Sequence, residues 1–93
     1  MRTYELMTVF RSDGEAYEKG RTNVKEHLNE SNVTIVKEED RGDRQLAYEL
    51  KGNERGHYHL YELEMDPELV NSLDQTIQRV PELLKHLFVR KES

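Results

Sequence analysis

Cysteine is absent from this sequence of 93 residues, which excludes disulfide bonds, thiolate zinc sites and thiol catalysis together. Long apolar runs are also missing. No segment approaches the roughly 18 residues of a membrane span, and the amino-terminal stretch alternates apolar with polar side chains instead of forming a signal peptide. A phosphate-binding loop is missing too, because the glycine-containing stretch at residues 52–56 lacks a Lys-Ser/Thr ending. These absences predict a cytoplasmic protein that binds no cofactor and contacts no membrane.

An excess of basic residues is the next feature that the sequence lacks. The formal net charge is -5, whereas a protein that binds nucleic acid alone usually has a strongly basic balance. Charged residues make up 35% of the chain and hydrophobic residues only 34%, a balance that approaches that of disordered segments. Leu, Ile, Val and Phe nevertheless amount to about a quarter of the residues, above the roughly 20% below which composition indicates disorder. We therefore expect a single folded domain with a thin core, spanning residues 1–93.

The first part of the chain changes from a strand period to a helix period. Residues 3–10 alternate with a period of two, which predicts a strand. Ser12 and Glu15 then have the spacing of a capping box, and apolar positions at helical spacing follow up to about residue 31. Gly20 lies within that apolar stripe. A helix is therefore expected, and the glycine allows it a close approach to the element on which it packs.

The middle of the chain has two strand-like segments. One opens at residue 33, is expected to be interrupted by the acidic residues 38–40, and resumes its alternation at residues 46–50. A bulge or turn is expected near Gly42. The two glycines of residues 52–56 then indicate a hairpin connection to the next strand.

The last part of the chain repeats the order of strand, helix and strand. Residues 57–65 alternate again and predict a third strand. Asp66 followed by Pro67 is typical of a helix start, because Asp accepts from free amide groups and Pro needs no donor in the first turn. Pro81 is incompatible with continuing that helix. The apolar residues 83–90 predict a final strand.

The resulting order is that of a ferredoxin-like βαββαβ sandwich. This α+β fold has a four-stranded antiparallel sheet with two helices on one face. In such a sheet the first strand separates the third strand from the last. The periodic apolar positions predict a core built around the following residues: Leu6, Phe10, Leu28, Ile35, Leu63, Leu73 and Ile77.

Two histidines are candidate metal ligands. His57 and His59 are two residues apart on one strand face, which is acceptable ligand spacing. His86 lies in the last strand, which the first strand separates from them, so a third ligand is not evident. We therefore favour ordinary packing for these histidines and predict no metal. Neither a pair of carboxylates with defined acid and base roles nor a Ser-His-Asp set is present, and no enzyme is predicted.

The segment GDRQLAYELK, at residues 42–51, links the chain to a known family. It has a glycine, one variable residue, a basic residue and a polar residue before Leu-Ala-Tyr, with an aliphatic residue two positions later. This order resembles the signature of the ribosomal protein six family of the bacterial small subunit. The opening MRTYELM, the alternating aromatic strand after Gly56 and the closing LLKHLFVRKES resemble the family's first, third and last strands. The resemblance covers nearly the whole chain, and the family's fold is the one predicted from periodicity.

The resemblance implies a structural constituent of the small ribosomal subunit that binds the central domain of 16S rRNA together with ribosomal protein eighteen. It also answers the charge objection, because a composite surface needs only a local cluster of cations on this chain. Two cations in the signature, an aromatic residue between them, and two cations near the ends of the first and last strands are the candidate rRNA-binding residues: Arg2, Arg44, Tyr48, Lys51 and Arg90. Tyr48 is expected either to stack on a base or to pack.

The sheet face opposite the helices is predicted to be more apolar than a sandwich with one covered face requires. We interpret this as the surface that meets the protein partner, with scattered surface apolarity as the alternative. The candidate partner-binding residues are Tyr58, Leu60, Met7, Val9, Leu87 and Val89. Two rival functions remain open, a homodimeric ferredoxin-like enzyme or small-molecule-binding domain and a metal-binding module. The leading interpretation predicts a monomer when the protein is isolated.

Overall fold

The computed structural model describes residues 1–91 and has the predicted order of elements. The strands are β1 (Arg2–Phe10), β2 (Thr34–Leu50), β3 (Asn53–Met65) and β4 (Leu83–Arg90), and the helices are α1 (Ala16–Glu30) and α2 (Val70–Gln78). The strands pair antiparallel in the order β2-β3-β1-β4. The ferredoxin-like α+β fold is therefore confirmed, with β1 between β3 and β4. Residues 92 and 93, at the end of the closing segment, lie outside the described residues.

The core lies between the two helices and one face of the sheet. The predicted core residues that are buried in the structure are Leu6, Phe10, Leu28, Leu63, Leu73 and Ile77. Ile35 is only half-buried and packs against the edge of this core from β2. Tyr61 of β3 is fully buried, and its hydroxyl donates to the carbonyl oxygen of Arg21 at 3.0 Å. The one polar group of this large side chain is therefore satisfied inside the core.

The start of α1 differs from the predicted capping box. The helix begins at Ala16, its N-cap residue is Glu15, and no side chain caps it. Ser12 lies before the helix and does not cap it, because Gly14 has a φ of +55° and turns the chain between the two positions. The predicted capping box is therefore wrong. Asp13 instead accepts from the guanidinium of Arg11, with an N–O distance of 2.6 Å.

The start of α2 confirms the role predicted for Asp66. Its Oδ1 accepts from the amide of Glu68 at 3.0 Å, and Pro67 occupies the first turn, which is a 3-10 helix over Pro67–Leu69. The helix then runs from Val70 to Gln78 and ends before Pro81. Pro67 has no amide hydrogen, and at the first turn of a helix such a hydrogen would have no acceptor within the helix.

Strand β2 is continuous, and the predicted interruption at the acidic residues is wrong. Residues 38–40 stay paired with β3, since Glu38, Glu39 and Asp40 each face a β3 residue. Glu38 meets Lys25 of α1 and His59 of β3, Asp40 meets His57 of β3, and Glu39 meets Arg41 of the same strand. The three carboxylates therefore need no loop to remain stable in a strand. The bulge predicted near Gly42 is present: the register shifts between Asp40 and Gly42.

The connection between β2 and β3 is shorter and earlier than predicted. Lys51 and Gly52 form the turn, with φ values of +47° and +79°, and Leu50 pairs with Asn53. Positive φ at both central residues is typical of a two-residue hairpin turn. Residues 53–56 belong to β3, so the predicted connection over 52–56 is wrong. Lysine rarely adopts a positive φ, so the residue type at position 51 did not indicate a turn there.

Candidate RNA and partner surface

The candidate partner-binding residues lie together on the sheet face that has no helix, hereafter the open face. Met7 on β1 is paired with Leu60 on β3 and with Leu87 on β4, and Val9 is paired with Tyr58. Val89 follows Leu87 on the same face of β4, because side chains two residues apart point the same way. The structure thus brings all six predicted residues onto one face.

Some of these six side chains are buried within this chain and therefore offer little surface to a partner. Val9 is 4% exposed and Leu60 is 9% exposed, so this chain covers most of both side chains itself. Leu87 is 57% exposed and Val89 is 44% exposed, and both lie on β4. Exposed leucine and valine side chains side by side favour contact with another molecule. The apolar surface available to a partner is therefore centred on β4.

The hairpin of β2 and β3 forms a groove on the open face. Residues 46–50 bend over the ends of β1 and β4, and the space between them is about 300 Å³. Gly56 permits this approach, because a Cβ atom there would lie 2.5 Å from Cγ1 of Val9 and 3.3 Å from Cδ2 of Leu46. The groove is lined by Met7, Val9, Leu46, Ala47, Tyr48, Leu50, Tyr58, Lys85, His86 and Leu87, none of which is acidic. In a chain of net charge -5 this is a region free of carboxylates.

Arg44 lies on this side of the sheet, just after the bulge of β2. Its Nε donates to the carbonyl oxygen of Arg41 at 3.2 Å, and its guanidinium carbon is 5.7 Å from the centre of the Tyr58 ring. Within residues 1–91 no carboxylate forms an ion pair with it. Glu38 pairs with Lys25 instead, and Asp40 with His57. The charge of Arg44 is therefore oriented by the backbone and left unneutralised.

Tyr48 and Lys51 lie on the same hairpin as Arg44. Tyr48 is 67% exposed and lines the groove, so it is not a core residue. Lys51, at the turn, donates from Nζ to the carbonyl oxygen of Leu83 at 3.3 Å. This bond ties the hairpin turn to the start of β4. The three signature residues predicted to bind rRNA thus share one end of the molecule.

Lys85 is a cation that the sequence reasoning missed. It is exposed, lines the groove, and forms no ion pair with any described carboxylate. The available signal was its position in β4, two residues before Leu87 and therefore on the same face. Arg44, over the Tyr58 ring of the groove, and Lys51, next to the groove residue Leu50, add two further cations at this end of the sheet. We call these three residues the hairpin cations.

Arg2 and Arg90 lie at the other end of the sheet. Arg90 pairs with Tyr4, near the start of β1, whereas Phe10 at the end of β1 pairs with His57. The length of β1 separates the two ends by about 25 Å, at the usual rise of about 3.3 Å per strand residue. The structure therefore does not bring Arg2 and Arg90 together with the hairpin cations.

His57 and His59 are engaged in a polar network between β3, β2 and α1. His59 is 3% exposed; its Nε2 donates to Glu38 at 3.1 Å, and its Nδ1 accepts from the hydroxyl of Tyr17 at 2.9 Å. Burial, together with the nearby charge of Asp40, raises the pKa of Tyr17 to about 12, so the hydroxyl keeps its proton. Burial also lowers the pKa of His59, although Glu38 opposes this shift.

These contacts account for both histidines without a metal. His57 stacks on Tyr17, with ring centroids 3.4 Å apart, and its Nε2 lies 2.6 Å from Oδ1 of Asp40. Across the part of the chain that the structure describes, no group of three or more histidine and carboxylate side chains is arranged to hold a metal ion. Nor does any described helix have the length and apolar character needed to cross a membrane.

Comparisons of the sequence and of the structure match this chain to the same family of proteins. The family model described as ribosomal protein S6 matches residues 3–90. Small ribosomal subunit protein bS6 of Treponema pallidum is 42% identical over 93 residues, and that of Treponema denticola is 41% identical, with each chain covered in full. The crystal structure of 30S ribosomal protein S6 from Thermotoga maritima has a TM-score of 0.82 and 27% identity, covering 97% of this chain and 87% of that one. The C-terminal domain of MgtC from Mycobacterium tuberculosis, at 13% identity and a TM-score of 0.64, shares the fold alone.

Proposed function

The chain belongs to the ribosomal protein S6 family, and from that premise we propose that it binds the central domain of 16S rRNA together with ribosomal protein eighteen. Its relatives are ribosomal proteins, so its role is structural and not enzymatic. The match over its full length supports a place in the small ribosomal subunit. The observation that best supports RNA binding is the set of hairpin cations. Lys85 lines a groove without carboxylates, Arg44 lies over the Tyr58 ring of that lining, and Lys51 follows the groove residue Leu50 at the hairpin turn.

The location of the hairpin cations explains how an acidic protein binds RNA. Each phosphate contact that a cation makes releases counterions and favours binding, while distant acidic residues are screened beyond about 10 Å at moderate salt. Most other cations of the described chain are paired, as Lys25 is with Glu38 and Arg55 is with Asp43. RNA contact is therefore assigned to the hairpin end, with Tyr48 available to stack on a base. Arg2 and Arg90 form a second, separate candidate contact.

The exposed apolar residues of β4 support the second part of the proposal. Leu87 and Val89 continue the apolar lining of the groove toward the edge of the sheet. A protein seated there would bury them and would add its own cations beside the hairpin. Ribosomal protein eighteen is the proposed occupant, and the RNA then spans both proteins.

The test is a filter-binding titration of a central-domain transcript with this protein, with and without ribosomal protein eighteen. Binding should be weak for the protein alone and about tenfold or more tighter with the partner, within the usual range of coupling between two binding partners. A transcript of another 16S domain provides the control. Equal affinity with and without the partner contradicts the composite surface. Sizing chromatography of the isolated protein should give a monomer, whereas a dimer would favour the rival homodimeric function.

A further inference from the structure

Asp40 lies at the point where β2 leaves regular pairing. Its Oδ1 accepts two hydrogen bonds, one from the amide of Gly42 at 2.8 Å and one from Nε2 of His57 at 2.6 Å. The first bond spans the bulge, because Asp40 and Gly42 are consecutive paired residues with Arg41 between them unpaired. The second bond joins the same oxygen to the neighbouring strand. One carboxylate oxygen therefore holds the bulge closed and fixes it to β3.

The bulge in turn orients Arg44. Because Arg41 has no partner on β3, its carbonyl oxygen is free to accept from Nε of Arg44 at 3.2 Å. Bulges redirect side chains in this way, and they recur next to functional sites. The unneutralised guanidinium is thereby held over the Tyr58 ring.

His57 is itself fixed from the helix side. Its ring lies against that of Tyr17 of α1, with planes at 10° and centroids at 3.4 Å. The Tyr17 hydroxyl is bonded to the buried His59, so this ring cannot swing away freely. The pKa of Asp40 is lowered mainly by the hydrogen bond from His57 and further by the one from the Gly42 amide. Its carboxylate is therefore ionised at neutral pH.

We propose that Asp40 and His57 are positioning residues for RNA binding, which hold the β2 bulge in the geometry that directs Arg44 toward a phosphate. The inference rests on the proposed function, because it assumes that Arg44 contacts RNA. Asp40 itself touches no RNA. Its role is to fix the backbone carbonyl that orients the arginine.

Simple electrostatics makes the opposite prediction for Asp40. Removing a negative charge close to an RNA surface should strengthen binding. Loss of positioning should weaken it, since a phosphate contact made by a disordered arginine must order that side chain first. The sign of the effect therefore separates the two roles.

The experiment compares Asp40→Ala, Asp40→Asn and His57→Phe in the complex with ribosomal protein eighteen and the central-domain transcript. Asp40→Ala should weaken binding about threefold or more, on the scale of a loosened phosphate contact. Asp40→Asn should bind at least as tightly as the wild type, because its amide oxygen still accepts both hydrogen bonds and one negative charge is removed. His57→Phe keeps the ring on Tyr17 but removes one donor, and should fall between them. The control is Asp43→Ala, which removes the same charge three residues away and also frees Arg55 from its ion pair, so it should not weaken binding.

A structural measurement accompanies the binding assay. In the free protein, the Gly42 amide should exchange its hydrogen about tenfold faster or more in Asp40→Ala than in Asp40→Asn, since it loses its acceptor. The thermal midpoint of each variant shows whether it is folded. If Asp40→Ala is unfolded, Asp40→Asn and His57→Phe decide the question alone.

Three results would overturn the inference. Binding by Asp40→Ala that equals or exceeds the wild type makes Asp40 a bystander. Binding by Asp40→Asn that is as weak as by Asp40→Ala shows that the two accepted hydrogen bonds are not what binding requires. An equal loss in Asp43→Ala shows that the loss is not specific to the bulge. If Arg44→Glu weakens binding while Asp40→Ala does not, only the positioning role fails. If Arg44→Glu binds normally, the proposed RNA surface fails as well.

Discussion

Gly20 of α1 lies directly against the ring of Phe10 on β1. A Cβ atom at position 20 would be 2.5 Å from Cδ1 and 2.8 Å from Cε1 of that ring, and 3.0 Å from Cβ of Glu82. The close approach expected from the position of Gly20 in the apolar stripe is therefore confirmed. The helix rests on the sheet at van der Waals distance because one of its residues has no side chain.

We predict that Gly20→Ala destabilises the protein. Alanine favours a helix over glycine by about 1 kcal/mol, but overpacking a core typically costs about 1 to 3 kcal/mol. The ring and Glu82 enclose the new methyl group from two sides, so the loss should prevail, and the free energy of unfolding should fall in a urea titration. Glu26→Ala, at an exposed position of the same helix, is the control. Increased stability in Gly20→Ala would show that Phe10 moves away at little cost.

Arg44→Glu tests the principal RNA contact. It replaces an attractive phosphate interaction with a repulsive one, so assembly with RNA and ribosomal protein eighteen should weaken about tenfold or more at moderate salt. Arg44→Ala should lower the log-log salt slope of binding by about one. The thermal midpoint should change little, since exposed substitutions usually stay within about 0.5 kcal/mol.

The matched control for Arg44 is Arg79→Glu. Arg79 is also exposed and without an ion pair in the described chain, but it caps the end of α2, on the helix-covered face of the sheet and not on the open face. The same change of charge should leave assembly nearly intact there. Equal losses in both variants would mean that net charge alone controls binding, and no loss in Arg44→Glu would remove this residue from the RNA surface.

Leu87→Glu tests the surface proposed for ribosomal protein eighteen. Leu87 is 57% exposed on the open face, and Val36 is 53% exposed on β2, at the opposite edge of the sheet. A carboxylate buried at a protein interface is costly, so Leu87→Glu should abolish most of the tightening of RNA binding caused by the partner. Val36→Glu should leave it unchanged. Pull-down of purified ribosomal protein eighteen gives the same comparison without RNA, and similar results for the two variants would count against the assignment of the open face.

The stability of the protein should decrease below about pH 6.5 because of His59. The folded state lowers the pKa of this histidine by burial, so the unfolded chain, with its ordinary value of about 6.5, binds the proton first. The stabilisation is therefore complete above about pH 6.5 and is lost as the pH falls toward the folded pKa. The bonds from Lys25 and His59, which outweigh the opposing effect of burial, lower the pKa of Glu38, and its contribution is lost only in more acidic solution.

The free energy of unfolding is measured by chemical denaturation between about pH 5.5 and pH 7.5, which brackets the ordinary histidine pKa of about 6.5. His59→Gln removes the titrating group, so its stability should change less across this range than that of the wild type. His27→Gln, at a half-exposed position of α1 outside this network, is the control for removing a histidine. Equal slopes in all three proteins would show that the buried network does not respond to histidine protonation.

Periodic patterns within short stretches of the sequence were sufficient to predict the strands and helices that have one buried face. The period of two in β1 and the helical spacing of Leu73 and Ile77 both follow from a single covered side, and each position was assigned correctly. Asp66 and Pro67 marked a helix start for reasons that act within one turn. These features depend on neighbours in the sequence, so a single chain is sufficient to find them.

The features that were missed depend on contacts between distant residues. The acidic residues of β2 stay in a strand because Lys25 on α1 and His57 on β3 meet their carboxylates. The groove exists because the hairpin bends back to Val9, a contact that only Gly56 permits. Lys85 lies on the same face of β4 as Leu87, which its position in the strand indicated, but only the bend of the hairpin brings the groove to it.

The order of strands in the sheet sets the order in which the protein can fold. The β2–β3 hairpin closes over two residues, so it can form as soon as that segment has left the ribosome on which it is made. Strand β1 is synthesised earlier, but both of its neighbours, β3 and β4, follow it at long sequence separation. Its apolar residues therefore remain without a sheet until β3 has emerged, and β1 gains its second neighbour only with β4. Non-local pairing of this kind is slow. Until β3 has emerged, Leu6 and Phe10 of the nascent chain have no sheet in which to bury, and apolar surface exposed in this way favours aggregation.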